Sequence, residues 1–154
     1  DVVDDQLALA VAASPDLAII SIGSNDSLRG VTMPSMRRDL NAILSGLASS
    51  SVVVLLGIGD LGTIPRLPQP LAGLARTRGR MVDRMQLEVA ANHEQVLKVP
   101  LYELAGPVFR ANPNLFTPDL FHPNQAGQRV WARAAAPTLC RAISHIIGSK
   151  RPNG

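Results

Sequence analysis

The sequence predicts an α/β fold in three layers, an α/β/α sandwich around a parallel sheet, and three observations carry that prediction. Two short runs, LAIISI at 17–22 and SVVVLLGI at 51–58, are apolar on both faces and rich in β-branched residues, as parallel strands covered on both sides are. Amphipathic stretches of about 12 to 20 residues flank them, with apolar positions recurring at helical spacing. The resulting order, helix, strand, helix, strand, helix, strand, loop, helix, is the alternation that builds a parallel sheet through crossovers.

Each element has its own warrant. Val2, Val3, Leu7, Ala10 and Val11 make residues 1 to 13 an amphipathic helix ended by Ser14-Pro15-Asp16, and the first strand then runs from 17 to 22 and stops at Gly23. Met36, Leu40, Ile43, Leu44 and Leu47 form one stripe of a second helix over 33–47. The strongest strand, 51–58, follows. Pro65, Pro68 and Pro70 hold the next segment out of regular structure, because each fixes its own φ and biases its predecessor towards extended forms. A long helix is expected from 71 to 92, with Leu74, Val82, Met85 and Val89 inward and its arginines outward. QVLKVPLY, 95–102, reads as a third strand, and the chain is expected to be helical from Pro123 to Ile147, with Pro137 inside. Three strands make a narrow sheet, and LAIISI, apolar on both faces, wants a neighbour on each side.

Composition bounds the function. The 154 residues suit one domain, 1–154, able to bury roughly two thirds of its unfolded surface. With 46% hydrophobic and 18% charged residues the chain is globular, and no apolar run approaches the ~20 residues of a membrane span. Aromatics, 3% of the chain, are too few for a base-stacking surface, which argues against nucleic acid as a partner. The net charge of +3 is locally concentrated in Arg76, Arg78, Arg80 and Arg84, read either as a solvated helix face or as a surface for an anionic partner. A single cysteine, Cys140, expected as a small buried residue, excludes an internal disulfide, and with neither HExxH nor paired cysteines no metal or cofactor is expected. The chain opens already in helical register, so an upstream segment, removed or on another chain, is expected; the compartment stays open.

Three motifs bear on chemistry. GIGDLG, 57–62, matches the dinucleotide pattern, but the mechanism of that pattern needs a helix to begin at once, and TIPRLPQP follows instead. A ligand-facing loop at the carboxyl end of a strand is the better reading, with Asp60, Thr63 and Ile64 as pocket residues. SIGSNDSLRG, 21–30, sends Gly23, Ser24, Asn25 and Asp26 out of a buried strand at the carboxyl edge of the sheet; the Asn25 amide could donate to a developing oxyanion, whereas the bland alternative is a strand-ending turn. In TPDLFHPNQAG, 117–127, Pro123 suits the first position of a helix, with His122 just outside it. Asp119 could then curl round to accept from His122 Nδ1, leaving Nε2 as a base; the alternative is a helix-entry turn.

Together, GSND at 23–26 and DLFHPN at 119–124 resemble the third and fifth blocks of the SGNH, or GDSL, hydrolase superfamily. The resemblance implies a flavodoxin-like sheet of about five strands and metal-free hydrolysis of a small-molecule ester. His122 would be the base, Asp119 its orienting acid and Asn25 an oxyanion donor, with Gly23, Ser24, Asp26 and Asp60 around the pocket. The chain departs from the family pattern by lacking the Gly-Asp-Ser nucleophile block and the following glycine block, and no GxSxG elbow replaces them. The expectation is a C-terminal portion whose serine lies on a missing N-terminal segment, with Ser24 as a fallback nucleophile. The rival readings are a non-catalytic binding module with an arginine-rich face and a nucleotide-binding domain built on GIGDLG.

Overall fold

The computed structural model describes residues 2–49 and 51–149. Three parallel strands, β1 (Leu17–Ser21), β2 (Val52–Leu56) and β3 (Val96–Val99), lie in the order β1-β2-β3, with Leu17 opposite Val52 and Val53 opposite Val96. All four β-branched or leucine side chains from Val52 to Leu55 are buried, and they alternate between two cores. Val53 and Leu55 face α3 (Met33–Ala48) and α4 (Leu71–Ala90), while Val52 and Val54 face α5 (Leu101–Ala111) and α6 (Gln125–Ser149). Helices therefore cover both faces of an open α/β sheet.

The expected helix 33–47 forms as α3, with the Thr32 hydroxyl capping it from Ser35 N and the predicted stripe, Met36 to Leu47, buried. Burial of a residue such as Leu44, fully enclosed, contributes about 1.5–3 kcal/mol. At the N-terminus a π-helical turn, Val2–Gln6, leads into the short α1 (Leu7–Ala12) rather than one regular helix, and Asp1 lies outside the described residues. Among the described residues β1 pairs with β2 alone, and Ile19 is 55% exposed.

Several expectations are corrected. The third strand ends at Val99, and residues 101–111, read partly as strand and otherwise as loop, form α5 with Pro107 inside it. The two prolines at 100 and 107 masked a helical stripe, Leu101, Ala105 and Phe109, which packs against α6. Leu74, expected inward, is 64% exposed, whereas the polar Asp83 and Gln86 occupy the inner face of α4. Lys98 of β3 donates to Asp83 across 2.6 Å, and burial raises the Asp83 carboxyl above its ordinary range against the opposing pull of that bond. Cys140 is exposed, not buried. At Gly57, where β2 hands over to the loop, a Cβ would stand 2.6 Å from Val99 O and 2.7 Å from Asp83 Oδ1, so only glycine fits between β3 and α4 there.

Candidate active site

The segment from Phe116 to Pro123 is closed into a loop by an antiparallel bridge between those two residues and by Thr117 N donating to His122 O at 2.8 Å. Leu120 sits at its apex with φ 57°, a left-handed conformation that costs a leucine about 1 kcal/mol or more. Two backbone bonds and the Asp119 carboxylate hold it there. Leu120 N donates to Thr117 O at 2.9 Å, Arg66 N of the proline loop donates to Leu120 O at 3.0 Å, and Asp119 gathers the turn from within. Asp119 Oδ1 accepts from Phe121 N at 2.9 Å, His122 N at 3.0 Å and the Thr117 hydroxyl. Its Oδ2 is thereby left to the His122 ring, 2.6 Å from Nδ1.

These donors, the Thr117 hydroxyl first and the His122 ring second, hold the Asp119 carboxyl well below the usual carboxylate range, so it is ionised at neutral and mildly acidic pH. An ionised acceptor at Nδ1 fixes the proton on that nitrogen and makes Nε2 the free lone pair. The His122 side chain is 71% exposed, with the Phe121 ring meeting it edge to face at 5.0 Å.

Pro123 does not open the helix. Its place in the bridge with Phe116 keeps it extended, and α6 begins two residues later, capped by Asn124, whose Oδ1 accepts from Ala126 N at 2.9 Å and Gly127 N at 3.1 Å. The Asn124 amide also donates to Asn114 O and Phe116 O, at 2.7 and 3.0 Å, so one side chain joins the turn to the helix.

At the end of β1, GSND forms a helix start rather than a plain turn. Gly23 has φ 98°, which glycine alone tolerates cheaply, and a Cβ there would press on Gln86 Nε2 at 3.1 Å and Ile58 Cδ1 at 3.2 Å. The chain then winds directly into α2 (Ser24–Arg29), with the Ser27 hydroxyl donating to Gly23 O at 2.7 Å. Asn25, on the first turn of α2, is exposed.

Ser24, Asn25, Asp60, Thr63, Ile64 and His122 line a single cavity of about 190 Å³. Four of the five aromatic residues of the chain, Phe109, Phe116, Phe121 and Trp131, line it as well. Composition made aromatics look incidental; the fold gathers them at the candidate site. Gly23 and Asp26 instead line a neighbouring open cleft of about 710 Å³, which meets the cavity at Ser24, Asn25 and Trp131. Asp60 borders the cavity, but its carboxylate is enclosed: Arg110 Nη1 approaches to 2.6 Å, Arg76 Nε to 3.2 Å and Gly62 N to 3.0 Å. No helix follows GIGDLG directly, only the 3-10 turn Leu61–Thr63 and the proline loop.

The α4 arginines divide: Arg80 and Arg84 lie on the exposed face, as a solvated helix face requires, while Arg76 and Arg78 are half-buried against the protein. Arg76 reaches Asp60, Arg78 donates to the carbonyls of Ser27 and Val31, Arg80 donates to the Tyr102 hydroxyl at 2.7 Å, and Arg84 pairs with Glu88 at 3.4 Å. Among the described residues no cluster of three or more His, Cys, Asp or Glu stands together as a metal site, and no helix is long and apolar enough to cross a membrane.

Residues 1–130 match the model of the GDSL-like lipase/acylhydrolase family, a span that takes in Asn25, Asp60, Asp119 and His122. The chain belongs to that family. Among its GDSL-like relatives, an esterase of Mycobacterium tuberculosis (strain H37Rv) is 40% identical over 117 residues, 74% of this chain and 37% of that protein. The chain thus spans little more than a third of the curated relative it matches. The crystal structure of TesA superposes with a TM-score of 0.65 at 26% identity, covering 86% of this chain and 66% of TesA. An acetylxylan esterase from Geobacillus stearothermophilus (TM-score 0.64, 21% identity, 82% of this chain and 60% of that one) shares the fold. So does a lipase/acylhydrolase from Enterococcus faecalis (0.63, 22%, 84% and 63%).

Sequence reasoning missed Thr117 as a donor to Asp119, Asn124 as the cap and the aromatic walls. A hydroxyl two residues before Asp119 and an amide two after His122 were the available signals for the first two. Nothing local marks the aromatics, which come from α5, the 116–123 loop and α6.

Proposed function

We propose that this chain supplies the base, its orienting acid and an oxyanion donor to a GDSL-type serine hydrolase of carboxylic esters. The nucleophilic serine, in this reading, belongs to a segment that precedes Asp1. The observation that carries the proposal is the 2.6 Å contact between Asp119 Oδ2 and His122 Nδ1 on a turn whose His122 lines the same cavity as Asn25. The edge of β1 that faces away from β2, the exposed Ile19 on that strand and the open cleft beside Ser24 and Asn25 fit a further segment packing there.

The reaction is acyl transfer to water. Nε2 of His122 takes the serine proton as Oγ attacks the ester carbonyl, and the carbonyl π pair moves onto oxygen, where the Asn25 amide N–H stabilises it. Collapse of the tetrahedral intermediate expels the alcohol, which leaves with the proton held by His122. Water repeats the sequence on the acyl-serine and regenerates the enzyme. Asp119 stays ionised throughout, so the acid limb of the pH–rate profile does not come from its titration. The aromatic walls favour an ester with an apolar arm.

The test uses the full-length protein and a short p-nitrophenyl ester. Asn25→Ala is expected to lower kcat by about 10²–10³-fold and His122→Ala by more, with unchanged circular dichroism. Wild-type turnover in both variants refutes the assignment. A serine-directed phosphonate is expected to leave these 154 residues unlabelled; labelling at Ser24 would place the nucleophile within this chain after all.

A further inference from the structure

The arginine cluster suggested two uses from sequence, a solvated face or a partner surface, and Arg78 has neither. It lies on α4, 51 residues after Ser27, and lines neither the cavity nor the adjoining cleft. Its guanidinium reaches across to the end of α2, where Nε donates to Ser27 O at 2.9 Å and Nη2 donates to Val31 O. The two carbonyls flank Gly30, which turns the chain at φ 75°.

The reason α2 needs this clamp is its length. Six residues are far below the ~12–15 at which an isolated helix becomes even marginal, so α2 must be held from outside. Its amino end is held by the Ser27 hydroxyl on Gly23 O. At its carboxyl end Val31 N bonds back to Asp26 O at 3.0 Å, leaving Ser27 O without its usual helical donor, and Arg78 supplies one. A planar guanidinium can satisfy two carbonyls at once in a fixed geometry, which a lysine ammonium on a flexible stem does not reproduce.

We propose that Arg78 is a positioning residue for the oxyanion donor: by bridging Ser27 O and Val31 O it fixes the orientation of α2, and with it Asn25. The proposal rests on the esterase reading above. Misplacement of a catalytic group by about 1 Å can cost up to 10²-fold in rate, so a loosened α2 registers in kcat even though Arg78 touches no substrate.

The experiment is a double-mutant cycle on the full-length protein with a short p-nitrophenyl ester. Arg78→Ala is expected to lower kcat about tenfold with KM within about twofold, while Arg84→Ala, on the same helix and ion-paired with Glu88 one turn on, leaves both unchanged. In the Asn25→Ala background the further loss from Arg78→Ala should shrink to under about twofold, because the donor it orients is already gone. Arg78→Lys should fall between wild type and Arg78→Ala, and it carries the test if the alanine variant folds poorly. A tenfold loss that persists in the Asn25→Ala background, or full activity in Arg78→Lys, overturns the proposal. Asn25→Ala with a large loss but Arg78→Ala with none overturns the positioning role alone; an Asn25→Ala variant with wild-type kcat overturns the oxyanion reading and the positioning role together.

Discussion

Two aspartates border the candidate site, and they are held in opposite ways. Asp119 is open to solvent and takes its donors from residues within three positions, Thr117, Phe121 and His122. Asp60 has no exposed side-chain surface and takes Arg76 from α4, 16 residues on, and Arg110 from α5, 50 residues on. A carboxylate that serves chemistry must keep its partner reachable from solvent and substrate. One that ties elements together does so best where water is excluded and its loss is expensive. The same side-chain type thus holds the His122 ring at one edge of the cavity and ties α4 and α5 to its own loop at another.

That contrast can be broken from either side. The largest effect is expected from Asp119→Asn, which removes the ionised acceptor for Nδ1 and should lower kcat by about 10²–10⁴-fold while leaving the urea midpoint nearly unmoved, since the site is exposed. A parallel loss of stability and activity would show that Asp119 holds the turn and not the base. Next comes the double variant Arg76→Ala with Arg110→Ala, which leaves Asp60 buried without its cations and should cost about 3–5 kcal/mol in urea unfolding. An unchanged midpoint would mean that Asp60 becomes hydrated and was never an anchor. The smallest effect belongs to Asn124→Ala, which uncaps α6 two residues after His122 and should cost about 1 kcal/mol. A kcat loss much larger than that cost explains would sharpen the picture, making the cap part of the site's geometry.

The two aspartates also mark what is readable in a sequence. D-x-x-H spacing put Asp119 within reach of His122 because three residues of irregular chain can close on themselves. The GSND motif likewise lay at the carboxyl end of an apolar strand. Asp60 was legible as a pocket residue, since it follows a strong strand, but its arginines were not: no local pattern says that Arg76 and Arg110 converge. Helix α5 was lost for a related reason. Pro100 and Pro107 argue locally against a helix, yet the burial of Leu101, Ala105 and Phe109 against α6 outweighs the bond that Pro107 cannot make.

By itself the sequence determined the alternation of strands and helices, the parallel sheet, the family resemblance and the pairing of Asp119 with His122, because periodicity and short-range spacing are local properties. Tertiary structure alone decided that four aromatics share one cavity, that Arg76 and Arg78 of α4 turn back onto the protein, and that residues 24–29 wind into a short helix. Those outcomes depend on which distant groups meet, and burial and unsatisfied carbonyls settle that only when the whole chain is packed.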